Sequence, residues 1–160
     1  MQNPFFEKWD TPFESIPFHL IKTEHYLPAI EKNIEIARES IKKLKEMQET
    51  PTFENTILAI ELGEEDLGMV TTIFFNLLSC ESDDEFKELA NVISPKLASL
   101  SSEIFLDEKI FEKVSYVYNH QQGLNPEQIR LLDMIYKRFI RNGALLDTET
   151  KKRFEQLDQE

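Results

Sequence analysis

Three histidines, His19, His25 and His120, and a single cysteine, Cys80, are the side chains best suited to ligate a transition metal or act as a nucleophile. A helical zinc pair needs imidazoles one turn apart, at i and i+4, so that both face one ion. No two of these histidines have that spacing. His25 stands beside Tyr26 at the start of a helical pattern, where a capping or packing role is expected. Cys80 follows Leu77 and Leu78, lacks any nucleophile signature around it, and is expected to pack as a small hydrophobe. One thiol cannot close an internal disulfide.

Carboxylates are the other chemical resource. Asp83, Asp84 and Glu85 are contiguous, but a calcium loop needs alternating ligands, a central glycine and a distal glutamate, and this run has neither the alternation nor the glycine. Negative charge at a helix start, where it complements the helix dipole, explains the run more simply. Glu61, Glu64, Glu65 and Asp66 lie along a second helix, and carboxylates do acid–base work only in a pocket that shifts their pKa. A solvated face is expected for them. No Gly-rich phosphate loop, Gly-x-Ser-x-Gly elbow or Cys-x-x-Cys pair occurs. Catalytic, cofactor-binding and metal-binding residues are therefore all assigned as none.

The elements that would carry any site are helices. Glycine is scarce, with 4 residues, while 41% of the chain is hydrophobic and 30% charged, as in a globular helical protein. The formal charge of −12 argues against a nucleic-acid partner. It suits a solvated surface, or a basic partner or substrate. No apolar run is long enough to span a bilayer, and the N-terminus reads as neither a secretory signal nor a transit peptide, so a cytoplasmic protein is expected.

Pro4, Pro12 and Pro17 keep residues 1–22 out of a helix, yet Phe5, Phe6, Trp9, Phe13 and Phe18 lie there. An extended strap is expected, its rings plugged into grooves of a helical body at 23–160; a binding peptide for another protein is the alternative. Thr23 is expected to cap a first helix with the stripe Ile30, Ile34, Ala37, Ile41 and Leu44. Thr52 caps a second, with Phe53, Ile57, Ile60, Leu67, Val70, Phe74 and Leu77; Gly63 and Gly68 inside it predict close approach of a neighbouring helix. Ser82 and Glu85 form a capping box for a third, which Pro95 should kink. Asp107 starts a fourth, with Gly123 as its C′ residue, and Asn125-Pro126-Glu127-Gln128 a fifth, ended by Gly143. A sixth begins near Asp147 with Phe154 and Leu157 on one face. The fold class is all-α, about six helices in antiparallel hairpins behind the strap. No stop signal accompanies the last pattern, so the stretch is expected to be cut from something longer within its last helix.

Several of these stretches together resemble the N-terminal region of the M3 (thimet oligopeptidase-like) zinc peptidases, in particular the bacterial peptidyl-dipeptidase (dipeptidyl carboxypeptidase) branch. They are Asn3-Pro4-Phe5 leading to Phe18 and Ile21, Glu24-His25-Tyr26-Leu27-Pro28-Ala29, Pro51-Thr52-Phe53-Glu54-Asn55-Thr56-Ile57, Phe74-Phe75, Glu103-Ile104-Phe105-Leu106, Ile129-Arg130-Leu131-Leu132, Arg138-Phe139 and Gly143-Ala144. The likeness covers essentially the whole chain in order, and the stretch from Pro51 to Ile57 is its most specific piece.

The resemblance implies a much longer, nearly all-helical enzyme that cleaves short peptides with one zinc. The ion sits on a His-Glu-x-x-His helix with a further glutamate ligand, and the motif glutamate is the general base. These motifs lie far C-terminal to the region represented here and match no position of this sequence, so no residue role carries over. Zinc is implied for the full-length enzyme and no cofactor for this stretch. The resemblance also implies a neurolysin-like half of a clamshell that covers the active-site channel and limits it to short peptides. The implied partners are the remainder of the polypeptide and, for the whole enzyme, short peptides; surface left uncovered could drive self-association. A free-standing helical adaptor is the rival reading.

Overall fold

In a computed structural model the residues described are 3–147 apart from Ser82, together with Glu149–Lys151 and Arg153. All regular structure among them is helical: α1 Thr23–Glu46, α2 Ala59–Glu81, α3 Asp84–Phe105, α4 Glu108–Asn119 and α5 Pro126–Arg141. Short 3-10 turns lie at Pro4–Phe6 and Pro12–Glu14, and a π-helical turn at Phe53–Leu58 leads into α2. The all-α expectation holds.

α1 is the central rod. Its stripe of Ala29, Ile30, Ile34, Ala37, Ile41 and Leu44 is buried, and it packs on α2, α3, α4 and the Pro4–Phe6 turn. Short connections make α1/α2 and α4/α5 packed neighbours, as a hairpin requires. α3 departs from that scheme: it packs chiefly on α1 and touches α2 much less. Two ion pairs reinforce the α1–α3 seam, Lys96 with Glu31 at 3.0 Å and Arg38 with Glu103.

The Arg38–Glu103 pair is bidentate, with Nε and Nη2 donating to the two carboxylate oxygens at 2.8 and 2.6 Å, while Ser99 Oγ donates to Glu103 at 3.1 Å. The guanidinium bond lowers the Glu103 pKa, and its partner raises that of Arg38. A carboxyl acidified by folding stabilises the fold above its unfolded pKa, and that contribution is lost as pH falls through the folded value. Both groups are substantially exposed, so the contribution is about 1 kcal/mol at most. Glu103→Gln is expected to cost that much at neutral pH and nothing once the wild-type carboxyl is protonated. Denaturant curves of both proteins between neutral and acidic pH check this, and a constant difference would refute it.

Helix ends follow the sequence closely. Thr52, Asp107 and Asn125 accept from the backbone N–H of Asn55, Ile110 and Gln128. Asn125 N–H donates back to Gln128 Oε1, which completes a capping box. Gly143, with φ 92°, closes α5: its N–H donates to the Ile140 carbonyl and that of Ala144 to Phe139, as in a Schellman motif.

Other expectations are corrected. Thr23 is the first helical residue rather than the cap; Lys22 occupies the cap position, its N–H donating to His25 Nδ1 at 3.0 Å. α3 is capped by Asp83, whose carboxylate accepts from Phe86 N–H at 2.8 Å, one residue after the expected Ser82, itself outside the described residues. α3 runs as one helix through Pro95, which lies at the exposed surface. Gly123 has the left-handed φ of 72° but lies three residues beyond the His120 cap of α4, in the following loop. The expected sixth helix starts as read: Asp147 accepts from the N–H groups of Glu149 and Thr150, which lowers its pKa, and Glu149–Lys151 and Arg153 are helical. Phe154 and Leu157 lie outside the described residues.

Of the aromatic rings at 3–22, some are buried and others are not. Phe5 is buried on Tyr26, Trp9 is half-buried with its Nε1 donating to the Pro4 carbonyl at 2.9 Å, and Asn3 Nδ2 ties the segment to the His25 carbonyl at 2.8 Å. Phe6, Phe13 and Phe18 are exposed instead of plugged in, because the chain turns at Pro4–Phe6, at Pro12–Glu14 and at 17–20 rather than running extended. Phe13 and Glu14 adopt left-handed φ of 60° and 53°, a conformation that costs a non-glycine residue about 1 kcal/mol or more.

Tyr26 sits in a nest of rings with Phe5, Phe74 and Phe86. Its hydroxyl is buried without a hydrogen-bond partner, and burial raises its pKa. An orphaned hydroxyl loses its water and gains nothing in return. Tyr26→Phe is therefore expected to be neutral or to stabilise by about 1 kcal/mol. Thermal unfolding tests this, and a clear loss of stability would mean that the hydroxyl has a bound partner.

Candidate functional site

The side chains with chemical potential are dispersed. His25 is buried as the N-terminal cap partner of α1, the packing role expected of it. His120 stacks on Tyr116 at 4.1 Å and its Nδ1 lies 2.7 Å from the Tyr116 carbonyl at the end of α4; His19 is exposed in the strap. Asp83 is spent as a cap, and Asp84 pairs with Lys87 at 3.2 Å. Cys80 is exposed, against the expectation that it packs inside, on the opposite side of α2 from the core-packed Leu77 and Leu78. Among the described residues no three His, Cys, Asp or Glu side chains converge as a metal site would require. The described residues do not fit a zinc ion.

The most specific stretch of the sequence, from Pro51 to Ile57, has a structural use. Asn55 is its keystone. Its Oδ1 accepts from Thr52 N–H at 2.7 Å and from the Thr56 hydroxyl at 2.8 Å, and its Nδ2 donates to the Thr50 carbonyl at 3.0 Å. The loop is thereby wound into the π-helical turn, which buries Phe53, Thr56 and Ile57 and packs on α4 and α5.

A groove was not read from the sequence. It has a volume of about 920 Å³ and runs along α2, walled by Leu97, Leu100 and Ser101 of α3 and closed at one end by Arg138 of α5. It exists because α3 packs chiefly on α1 and only lightly on α2, so that part of one α2 face stays uncovered. That face is the stripe Glu61, Glu65, Gly68, Thr72, Asn76 and Ser79 at spacings of three and four, the repeat that places side chains on one side of a helix. The spacing was available as a signal, but it interleaves with the apolar stripe and resembles an ordinary solvated face. Gly63 fulfils the close-approach expectation, a Cβ there meeting Ser40 Cβ at 3.1 Å. Gly68 does not: nothing lies within 4 Å of its would-be Cβ, because it faces the open groove.

The groove carries more negative than positive charge, with Glu61, Glu64 and Glu65 against Arg138. Thr71 Oγ1 donates to the Leu67 carbonyl at 2.7 Å, Asn76 Nδ2 to Thr72 at 2.8 Å and Ser79 Oγ to Phe75 at 2.9 Å. The single hydroxyl protons of Thr71 and Ser79 are thereby spent on α2's own backbone, whereas the Asn76 amide carries a second N–H besides the one it donates. Glu64 is engaged by Arg138 at 3.1 Å, and Arg138 also lies over the Phe105 ring at 4.4 Å. Glu61 and Glu65 line the groove as exposed carboxylates.

Fold and site together define a helical body with an acidic groove along α2. Compared with known proteins, the chain is 34% identical over 160 residues to dipeptidyl carboxypeptidase of Salmonella typhimurium and 33% identical to that of Escherichia coli, each match covering 99% of this chain and 24% of the relative. Oligopeptidase A of Escherichia coli is 26% identical over 156 residues, 96% of this chain and 22% of the relative. No protein-family profile matches. The chain is a homologue of part of the dipeptidyl carboxypeptidases, spans about a quarter of their length, and is more distantly related to oligopeptidase A. No helix among the described residues is long and apolar enough to cross a membrane.

Proposed function

We propose that this chain is the N-terminal, non-catalytic helical region of a cytoplasmic, zinc-dependent M3-type peptidase that hydrolyses short peptides, and that it walls and size-filters the substrate channel. The observation that carries the reading is the whole-length match to about a quarter of two dipeptidyl carboxypeptidases. A wall needs rigidity, and buried stripes on every helix provide it. In this reading residues 1–22 are a strap on the body, and 23–160 are the helical domain, continued by polypeptide that carries the His-Glu-x-x-His helix. The zinc chemistry belongs to that continuation. Exposed Ile36 and Leu62, beside the shallow α1/α2 groove, are surface for the continuation to cover or, without it, for self-association.

Reading the gene past Glu160 is the first test, and a long helical continuation with His-Glu-x-x-His is expected. The longer polypeptide should release dipeptides from short peptides in a chelator-sensitive manner, and the 160-residue chain should not. A stop codon at that point, or chelator-sensitive hydrolysis by the 160-residue chain itself, overturns the reading.

A further inference from the structure

We infer that the pocket between α1, α3 and the start of α4 binds a small organic anion, a phosphate or carboxylate joined to an apolar group. The inference does not depend on the peptidase reading. The pocket has a volume of about 540 Å³, within the range of small-molecule sites.

Charge sets the sign of the ligand. Arg38, Lys42 and Lys45 of α1 and Lys109 of α4 line the pocket, against the carboxylates of Glu46 and Glu103. Two of the cations are held in place by acids, Arg38 by Glu103 and Lys45 by Asp107. The ammonium groups of Lys42 and Lys109 have no ion-pair or hydrogen-bond partner among the described residues. Arg38 donates to Glu103 through one N–H of Nε and one of Nη2, and a guanidinium has further N–H groups to offer. Lys109 stands in the first turn of α4, where the helix dipole adds to the same sign. Glu46 opposes them from the rim, yet the surplus in the pocket is positive, in a chain whose formal charge is −12. That chain repels anions from afar, but at physiological ionic strength such repulsion fades beyond about 8 Å, and the cations at the spot decide.

The floor sets the rest of the ligand. Ile41, Leu100 and Ile104 are core residues whose apolar atoms nevertheless reach the pocket. A bare inorganic ion would leave that floor wet, whereas a ring or branched chain on the anion covers it. Cationic donors around an apolar floor select an amphiphilic anion over either half alone.

Phenyl phosphate is the probe, titrated into the isotope-labelled 160-residue chain at physiological ionic strength and followed through its backbone amide resonances. Inorganic phosphate carries the charge without the ring, and phenol the ring without the charge. Phenylacetate is the carboxylate counterpart, and the tighter of the two aromatic anions identifies the head group. Saturable shifts centred on Lys42, Lys45, Ile104 and Lys109 are expected, with inorganic phosphate and phenol at least about tenfold weaker. The double variant Lys42→Gln with Lys109→Gln should weaken the tighter anion at least about tenfold. Lys43→Gln, which alters the α1/α2 groove instead, should change it by less than about twofold. All three lysines are exposed, and an otherwise unchanged amide spectrum confirms that the variants keep the fold. Inorganic phosphate binding as tightly as either aromatic anion, shifts centred away from the pocket, absence of saturation, or indifference to the double variant overturns the inference.

Discussion

Replacing Phe74 with alanine is expected to remove about 3–5 kcal/mol of stability, the range for deleting a fully buried aromatic ring. Phe74 has no exposed surface, stacks on Phe86 at 4.8 Å, and meets Tyr26 at 5.3 Å and Phe75 at 5.2 Å. Those partners come from α1, α2 and α3, so the cavity would open where three helices meet and could not collapse by moving one of them. For a domain of this size the melting temperature should fall by about 10 °C or more. Urea denaturation measures the free energy directly. The half-buried neighbour Phe75, on the groove side, is the control: Phe75→Ala should cost clearly less. A loss below about 1 kcal/mol for Phe74→Ala would show that the site repacks and that the ring cluster is not a rigid joint.

Asn55→Ala should cost about 2–3 kcal/mol although Asn55 is only half-buried and contributes no apolar surface. One side chain satisfies the Thr52 N–H, the Thr50 carbonyl and the wholly buried Thr56 hydroxyl. Removing it loses a helix cap and leaves a buried hydroxyl to find another acceptor. Asn55→Asp keeps both accepted bonds and loses only the donation to Thr50, so it should recover most of the stability. An aspartate variant as unstable as the alanine variant would contradict this assignment.

Much of the body was legible because its signals are local. A cap such as Thr52, Asp107 or Asn125 needs only its own next three residues, and an apolar stripe only its own helix. The errors came where a distant partner decides. His25 reaches back to Lys22 and moves the start of α1 by one residue. Cys80 follows two leucines that pack on the core, but itself lies on the exposed side of α2. Phe6, Phe13 and Phe18 look like core residues by type, yet each sits in a tight turn, Phe18 in that closed by Leu20 N–H on the Pro17 carbonyl, and is exposed. The groove was invisible for the same reason: its floor reads as a solvated face unless it is known that α3 packs chiefly on α1 and only lightly on α2. The glycines divide likewise, Gly63 pressed on Ser40 and Gly68 facing space.

The position of α1 has a consequence for how the body comes apart. Because α2, α3, α4 and the Pro4–Phe6 turn all rest on it, none can be peeled off without uncovering the same apolar stripe. These elements therefore form one cooperative block, in which partial unfolding gains little chain entropy for the surface it wets. α5 couples to that block mainly through α4 and the π-helical turn. It is the outlying member, free to loosen at its own lower threshold while the block stays closed.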